Sequence, residues 1–373
     1  MQQQKSTLVT GATGFLGTAV IPRLLKAKPC RVYAIVRAAD PEQLEKRRKK
    51  FLRKLPKCVD PERIIFLNGD LTKPRLGLSK EDLDTVYENV DAIMHMAAST
   101  RFDLTRDQAK RINIDGGHEI TSLAWTLQHQ GNLHRLDYVS TCYVAGHRKG
   151  RILETECNEG QEFRNSYEWS KATAETHLRQ QMKKGLRATV HRPSIIVGDS
   201  QSGAAASFSA LYIPVMVYYR GWWRTLPGNP DTMIDLVPVD YVADAMLKLS
   251  EQEETLGQTF HLAAGDDAIT IEDIVTRLNT VIDAPPVRYV NPKLWRRYIH
   301  RLMIPFFSLT KGGRATRRVI ETFLPYFTYN PQFDTTEANK YLGDFRPPSA
   351  LDYFETVLRY AVERDFNGTN PNA

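Results

Sequence analysis

Thr10-Gly11-Ala12-Thr13-Gly14-Phe15-Leu16-Gly17 is the stretch on which the reading of the fold turns. It follows a short β-branched run over residues 6–10 and leads into an apolar, helix-spaced segment through residue 25. Strand, glycine turn and helix in that order are the context in which a glycine triplet cradles a dinucleotide. Gly11 permits the tight turn, Gly14 lets backbone N–H groups approach a pyrophosphate, and Gly17 lets the helix pack close. The phosphates then lie at the positive end of that helix. Thr10, Thr13, Phe15 and Leu16 fall within the same turn and join the candidate cofactor contacts. The spacing is Gly-x-x-Gly-x-x-Gly, unlike the Gly-x-Gly-x-x-Gly of the older dehydrogenases.

Outward from this turn the chain alternates short apolar runs with longer helix-spaced segments. Residues 31–36 read as a second strand ending at Arg37. An NAD enzyme usually places an acid there to hold the ribose hydroxyls. A guanidinium instead suits a 2′-phosphate and favours NADP(H), although Asp40 lies close by and keeps the acidic alternative open. Residues 63–68 form a third strand running into Gly69-Asp70-Leu71, where Asp70 either accepts from an adenine amine or caps a turn. A fourth strand, 91–96, leads to Ala97-Ala98, small enough for the backbone to lie against a cofactor. His95 in this strand reads as a packing residue. In the long helix of about residues 107–130, Asn113 either faces the sheet and orients a water or backbone group, or lies at the surface. A fifth strand, 136–139, delivers Ser140-Thr141-Cys142-Tyr143 at its carboxyl end, where open α/β sheets place their ligands. Cys142 has no histidine partner nearby in sequence and reads as a small buried residue. A sixth strand, 188–191, continues into Arg192-Pro193-Ser194-Ile195. This alternation argues for a parallel, doubly wound α/β sheet.

Between the fifth and sixth strands lies Asn165-Ser166-Tyr167-Glu168-Trp169-Ser170-Lys171. Tyrosine and lysine four apart share one helix face. An ammonium beside a phenol favours the phenolate and is expected to lower the Tyr167 pKa from its ordinary value. Such a tyrosine can give a proton to a carbonyl oxygen while hydride reaches the carbon. Taken alone, the pair has the plainer reading of two exposed helical side chains.

At 373 residues the chain suggests one large fold or two lobes. The expected division is a dinucleotide-binding domain over 1–200 and a smaller, mainly helical substrate-binding lobe over 201–373, with segments near 235–262 returning to the sheet. A hydrophobic content of 42% with 25% charged residues is ordinary for a globular protein. No signal peptide is recognised, and no stretch approaches the roughly 20 apolar residues of a membrane span. Cys30, Cys58, Cys142 and Cys157 show no metal spacing and no disulfide framework, so a reducing cytoplasm and no metal are expected. The net charge of +7 suggests acidic partners. A phosphate-rich cofactor, coenzyme A or an acidic carrier protein fits it as well as nucleic acid does, and no nucleic-acid partner is expected. The excess is concentrated at 45–57 and 293–318.

The glycine turn, Asp70, Ala97-Ala98, Asn113, Ser140-Thr141, Tyr167-x-x-x-Lys171 and Arg192-Pro193 occur in an order that resembles the extended short-chain dehydrogenase/reductases. A finer resemblance is to the fatty acyl-CoA reductases and to the thioester-reductase domains that end peptide and polyketide assembly lines. It rests on Leu76-Gly77-Leu78-Ser79, His95-Met96-Ala97-Ala98 with Arg101-Phe102-Asp103, and Tyr138-Val139-Ser140-Thr141-Cys142-Tyr143-Val144-Ala145-Gly146. Asp235-Leu236-Val237-Pro238-Val239-Asp240 and Phe333-Asp334-Thr335 extend it towards the end of the chain. The resemblance implies a Rossmann-type fold in which NADPH delivers hydride to a thioester carbonyl on coenzyme A or a carrier protein. It implies that Tyr167 protonates the oxyanion, that Thr141 (with Ser140 in reserve) supplies a second donor, that Lys171 tunes Tyr167 and holds the ribose, and that Asn113 supports them. Thiol loss would leave an aldehyde, and a second hydride an alcohol. Leu71, Pro193, Ser194 and Ile195 join the implied cofactor contacts. An extended reductase of a free aldehyde, ketone or sterol-like hydroxyl is the alternative; a non-catalytic NADP(H) sensor would commonly lack Tyr167 or Lys171.

From residue 204 the composition turns apolar and aromatic, through Tyr212, Tyr218, Tyr219, Trp222 and Trp223. This stretch reads equally as a core helix and as the wall of an acyl-chain cleft. Residues 294–307 mix bulky apolar and basic side chains. They read as a helix packed on the body, or as a peripheral contact with a membrane or carrier protein.

Overall fold

The computed structural model describes residues 6–209, 211–221, 225–282, 287–291, 294, 322 and 324–367. Ala210, Trp222, Trp223, Arg224 and, apart from Leu294, the expected interfacial segment 294–307 lie outside the described residues.

Seven strands form one sheet. They are β1 (Ser6–Thr10), β2 (Arg31–Val36), β3 (Ile64–Asn68), β4 (Ala92–His95), β5 (Arg135–Val139), β7 (Ala188–Pro193) and β12 (Thr259–Leu262). Their order is β12-β7-β5-β4-β1-β2-β3, and every pairing is parallel. The fold is the Rossmann-type doubly wound sheet expected from the alternation of elements. Near-continuous burial along β1, β2 and β7 is what a sheet covered on both faces requires. The order reverses between β1 and β4, where Thr10 is in register with His95. Ligands bind outside the carboxyl ends of strands at such a reversal.

Helices α1 (Gly17–Ala27), α2 (Pro41–Leu52), α3 (Lys80–Asn89), α4 (Arg106–Ala109), α5 (Gly116–His129), α6 (Ser166–Lys183), α7 (Tyr212–Tyr219), α8 (Val239–Ser250), α9 (Ile271–Val281), α10 (Thr336–Leu342) and α11 (Ala350–Glu363) surround and extend the sheet. One face is covered by a core joining α1 and α8, with Phe51 of α2 and Ala338 of α10. The other is covered by α3, α5 and α6 through Val86, Ile120, Leu127 and Leu178. The helix expected over about 107–130 is not uniform: a π-helical turn, Lys110–Asp115, separates α4 from α5.

Shorter strands complete the chain: β6 (Gly150–Ile152), β8 (Ile195–Val197), β9 (Thr225–Pro227), β10 (Met233–Ile234), β11 (Leu236–Pro238), β13 (Ile269–Thr270), β14 (Arg288–Val290) and β15 (Pro331–Phe333). They pair two by two: β8 with β11, β6 with β15, β9 with β14, and β10 with β13. The C-terminal part is mainly helical, with its own core of α7, α9 and α11. In α11, Tyr353, Phe354, Val357, Leu358 and Ala361 recur at helical spacing and are buried. Each large apolar side chain buried this way contributes roughly 1.5–3 kcal/mol. Among the described residues no helix is long and apolar enough to cross a membrane.

Candidate active site

Most of the predicted site residues collect at the carboxyl end of the sheet because they follow its parallel strands, while Asn113, Tyr167 and Lys171 are brought there by helical elements. After β1, Gly11 turns with φ +75, and a Cβ there would stand 2.8 Å from the Ala97 amide nitrogen. A Cβ on Gly17 would collide with the carbonyl oxygens of Gly11 and Ala12. Helix, turn and β4 exit therefore pack backbone to backbone, with Thr13, Gly14 and Phe15 on the partly exposed side and Leu16 buried in the core. The Gly14 amide closes the turn onto the Gly11 carbonyl at 2.9 Å. The first turn of α1 carries no acidic residue and no side-chain cap, which leaves its positive end suited to an anion. Thr10 bridges the reversal, its hydroxyl 2.8 Å from His95 Nδ1 and 3.3 Å from the Ala97 amide. His95 is buried, and burial with the nearby Lys171 charge holds its pKa down at about 3, as befits a packing residue.

At the exit of β2, Arg37 is exposed; against the upward push of burial, hydrogen bonds from Thr72 and, more weakly, the Arg37 charge hold the Asp70 carboxyl below its ordinary pKa. Asp40 is committed elsewhere: its carboxylate caps α2 by accepting from the Gln43 amide at 2.7 Å. Asp70 caps its own turn, accepting from the Thr72 amide and hydroxyl at 2.9 and 2.8 Å. Leu71 packs on the backbone of α5 at Gly116. Ala98 is partly exposed beyond β4.

The catalytic candidates converge from β5, the π-helical turn and α6. Thr141 is buried at the exit of β5, its hydroxyl donating to the Pro193 carbonyl at 3.4 Å and facing the Tyr167 phenol. Ser140 is turned to the other side, towards Glu175, so Thr141 is the hydroxyl that meets Tyr167. Lys171 is buried and donates to the Val139 carbonyl at 2.7 Å. The expectation that Lys171 lowers the Tyr167 pKa is not met. Burial pushes the phenol up to about 12, and the influence that draws it down is the Thr141 hydroxyl. Burial also draws Lys171 down to about 8, against the upward pull of Glu175.

Asn113 is buried, and the π-helical turn aims it inward. Its oxygen accepts from the Ser99 amide at 2.8 Å; its nitrogen donates to the Ser99 carbonyl at 3.1 Å and to Ser170 Oγ at 2.9 Å. Of its two alternatives, the orienting of a backbone group is the one observed. Single π-helical turns inside a helix are frequent at functional sites.

Beneath α6, Arg192 grips Glu175 through Nε at 3.1 and 3.0 Å, and both are fully buried. This pair fastens β7 to α6. Beyond it, the Ser194 amide donates to the Leu262 carbonyl and the Ile195 amide to the Asp235 carbonyl, at 3.1 and 3.3 Å. Cys142 is fully buried and its thiol pKa is well raised, which removes it as a nucleophile. Among the described residues no group of three or more histidine, cysteine or acidic side chains could hold a metal ion.

One cluster has no counterpart in the sequence reading. Arg164 Nη1 binds both oxygens of Glu168 at 3.0 and 3.2 Å, and Tyr326, from the C-terminal part, donates its hydroxyl to Glu168 Oε1 at 2.5 Å. The Arg164 and Glu168 spacing was visible as an i, i+4 pair; the tyrosine lies 158 residues away from Glu168 in sequence.

The chain is 26% identical over 411 residues to fatty acyl-CoA reductase 1 of Rattus norvegicus, covering 92% of this chain and 79% of that protein. It is 28% identical over 284 residues to a linear gramicidin synthase of Brevibacillus parabrevis, covering 74% of this chain but 5% of that much longer protein. Against the human fatty acyl-CoA reductase 1 the match spans about half of that protein's length, 54%. A solved structure, the terminal R domain from the myxalamid PKS-NRPS biosynthetic pathway, superimposes with a TM-score of 0.84 at 26% identity, covering 98% of this chain and 92% of that one. Residues 9–246 match the model of an NAD-binding family described as male sterility protein, well over half of the chain. The chain belongs to that male sterility protein family of NAD-binding domains.

Proposed function

We propose that this protein is an NADPH-dependent reductase of acyl thioesters, carried on coenzyme A or on a carrier protein. The product would be the aldehyde and, through a second round, the alcohol. The observation that carries the reading is the meeting of Thr141 and Tyr167 at the sheet edge that also holds the glycine turn, with buried Lys171 one helical turn further on. The likeness to a terminal reductase domain over nearly the whole chain supports it.

The residues fit a nicotinamide dinucleotide. A Cβ on Gly11 or Gly17 would collide with the backbone that closes the turn, so the glycines keep the turn tight, and the open end of α1 suits a pyrophosphate. A bound nicotinamide supplies hydride; the remaining work falls to the chain. A thioester carbonyl oxygen set between Thr141 Oγ1 and Tyr167 Oη would receive two hydrogen bonds that strengthen as negative charge develops. Tyr167, with its pKa near 12, carries its proton at neutral pH and gives it to that oxygen. Lys171, fixed on the Val139 carbonyl, offsets the phenolate that results. Arg37 would hold a 2′-phosphate, while the nearby Asp40 caps α2 through one carboxylate oxygen. The turn residues, Asp70, Ala97, Ala98, Pro193, Ser194 and Ile195 would line the rest of the cofactor site. We assign cofactor binding to residues 1–200 and acyl binding mainly to 201–373.

The deciding experiment follows NADPH oxidation with a panel of acyl-CoA thioesters and the matching aldehydes, with products identified by chromatography. Turnover of both classes, ending in alcohol, is expected. Turnover of aldehydes alone, persisting when the acyl group is presented on a carrier protein, would identify an ordinary carbonyl reductase instead.

A further inference from the structure

We infer that Tyr326 is a specificity-determining residue of this site: with Phe102 it forms an aromatic wall beside Tyr167 that admits acyl groups unbranched next to the thioester. The inference rests on the thioester-reductase reading given above.

Tyr326 belongs to the short helical segment Leu324–Thr328, far from α6 in sequence. Both sides of its hydroxyl are engaged at the start of α6. It donates to Glu168 Oε1 at 2.5 Å and accepts from Nδ2 of Asn165, the residue that caps α6, at 2.9 Å. Glu168 is in turn held by Arg164, and the two side chains are 0% and 2% exposed. The Arg164 guanidinium also lies over the ring of Tyr329 at 3.6 Å and that of Tyr326 at 5.2 Å. An ion pair so far removed from water cannot give up one partner cheaply, so the anchor beneath Tyr326 is stiff.

The anchored ring stacks on Phe102, with centroids 5.8 Å apart and planes 16° from parallel. Phe102 packs on Tyr167 itself, at 5.7 Å between centroids. Tyr143, from the turn that Thr141 caps, meets Tyr326 edge-on at 5.6 Å. Phe102 and Tyr326 are only partly buried, as expected of rings that line a cleft. Phe102 thus meets the Tyr167 ring directly, with Tyr326 behind it and Tyr143 behind Tyr326.

A reacting carbonyl oxygen must sit within about 2.6–3.2 Å of the Tyr167 oxygen. The acyl carbon next to the carbonyl then lies close to the ring that packs on Tyr167. A methylene passes such a wall; a methyl branch meets Phe102, which is backed by Tyr326 and cannot retreat while the hydroxyl is held. A rigid apolar wall discriminates by about 10- to 200-fold for one carbon.

The test measures kcat and KM, at saturating NADPH, for a straight-chain acyl-CoA and its 2-methyl counterpart in the wild type, Phe102→Ala and Tyr326→Phe. Phe102→Ala is expected to shift the branched-to-straight kcat/KM ratio towards the branched substrate by about tenfold. Tyr326→Phe keeps the ring and loses the latch. It is expected to raise the acyl-CoA KM several-fold and relax the ratio in the same direction, with the NADPH KM nearly unchanged. A ratio that moves in neither variant overturns the inference. If the wild type reduces no thioester, the functional reading falls, and the same ratio measured with straight and 2-methyl aldehydes still decides whether the wall exists. Wild-type discrimination against the branch that survives in both variants also places its cause elsewhere and overturns the assignment.

Discussion

In the proposed mechanism Tyr167, Thr141 and Lys171 divide the chemical work unevenly, and the ionisation of Tyr167 and Lys171 says how. Tyr167 is held near 12 by burial and stays a proton donor through the whole working range. Its loss in Tyr167→Phe should reduce turnover by about 10²–10⁴ while the NADPH dissociation constant, measured by fluorescence titration, changes less than about twofold. Near-normal turnover in that variant would remove the assignment. Lys171 is the group that titrates within reach, at about 8. Below that pH it carries the charge that offsets a developing phenolate; above it the charge is lost. The rate should therefore fall as pH rises through about 8. Stability should move the other way. The folded pKa lies below the unfolded value of 10.5, so between about 8 and 10.5 the unfolded chain binds the extra proton and stability rises with pH. Urea unfolding at pH 7 and 9.5 checks this, and Lys171→Met should lose that part of the rise. A stability that falls through this window by the same amount in both proteins would contradict the account. Arg37 governs a different choice. Arg37→Ala should weaken NADPH by about 10- to 100-fold, the worth of charge-assisted hydrogen bonds, and NADH hardly at all. Equal losses for the two cofactors would show that Arg37 does not read the phosphate.

The elements that carry these residues were legible in the sequence to differing degrees. The bounds of β1 and β2 stand where the runs 6–10 and 31–36 place them, because parallel strands buried on both faces leave a continuous apolar signature. The gathering of the glycine turn and Thr141 follows from their places after parallel strands, and α6 brings Tyr167 to them. Three things did not follow. The π-helical turn at Lys110–Asp115 has no signature in apolar spacing, since one extra residue in a helical turn leaves the pattern helical. The direction of the Tyr167 pKa shift depends on burial and on where the Lys171 amine finds its acceptor, neither of which a spacing of four reveals. The Arg164–Glu168–Tyr326 cluster joins elements from opposite ends of the chain. The π-helical turn is where an element-scale test applies. Asn113 satisfies both the Ser99 amide and carbonyl and the Ser170 hydroxyl, so Asn113→Ala strands buried polar groups and frees the loop that carries Ala97, Ala98 and Phe102. The variant should lose about 1–3 kcal/mol in urea unfolding, with a raised KM for NADPH. A loss below about 0.5 kcal/mol, the size of an ordinary surface substitution, would mean the clasp is redundant.

At the scale of the whole molecule, the division of labour proposed near residue 200 is one of function, and the chain's path shows why it need not be one of folding. After the C-terminal part begins, the chain returns to the main sheet as β12, hydrogen-bonded to β7. It returns again as β15, paired with β6 from the first half. Glu154, buried beside β6, accepts from the His261 amide at 2.8 Å, the Glu337 amide at 2.6 Å and the Ala338 amide at 3.1 Å. One carboxylate thereby ties the first half to both β12 and the start of α10. The salt bridge of Arg151 with Asp334 repeats the stitch at the surface, at 2.5 Å. A cofactor-binding half and an acyl-binding half sewn together this way should unfold as one unit. We expect far-UV circular dichroism and the fluorescence of Trp125 and Trp169, isolated by replacing Trp222, Trp223 and Trp295 with Phe, to give coincident urea transitions. NADPH at about 100 times its dissociation constant should stabilise both by about 2.7 kcal/mol, although its contacts are assigned to the first half. Two separated transitions, with only the fluorescence-detected one moved by NADPH, would show that the C-terminal part folds by itself. The aromatic wall would then be brought to Tyr167 by docking of a separate lobe, and its position would depend on that docking rather than on the fold.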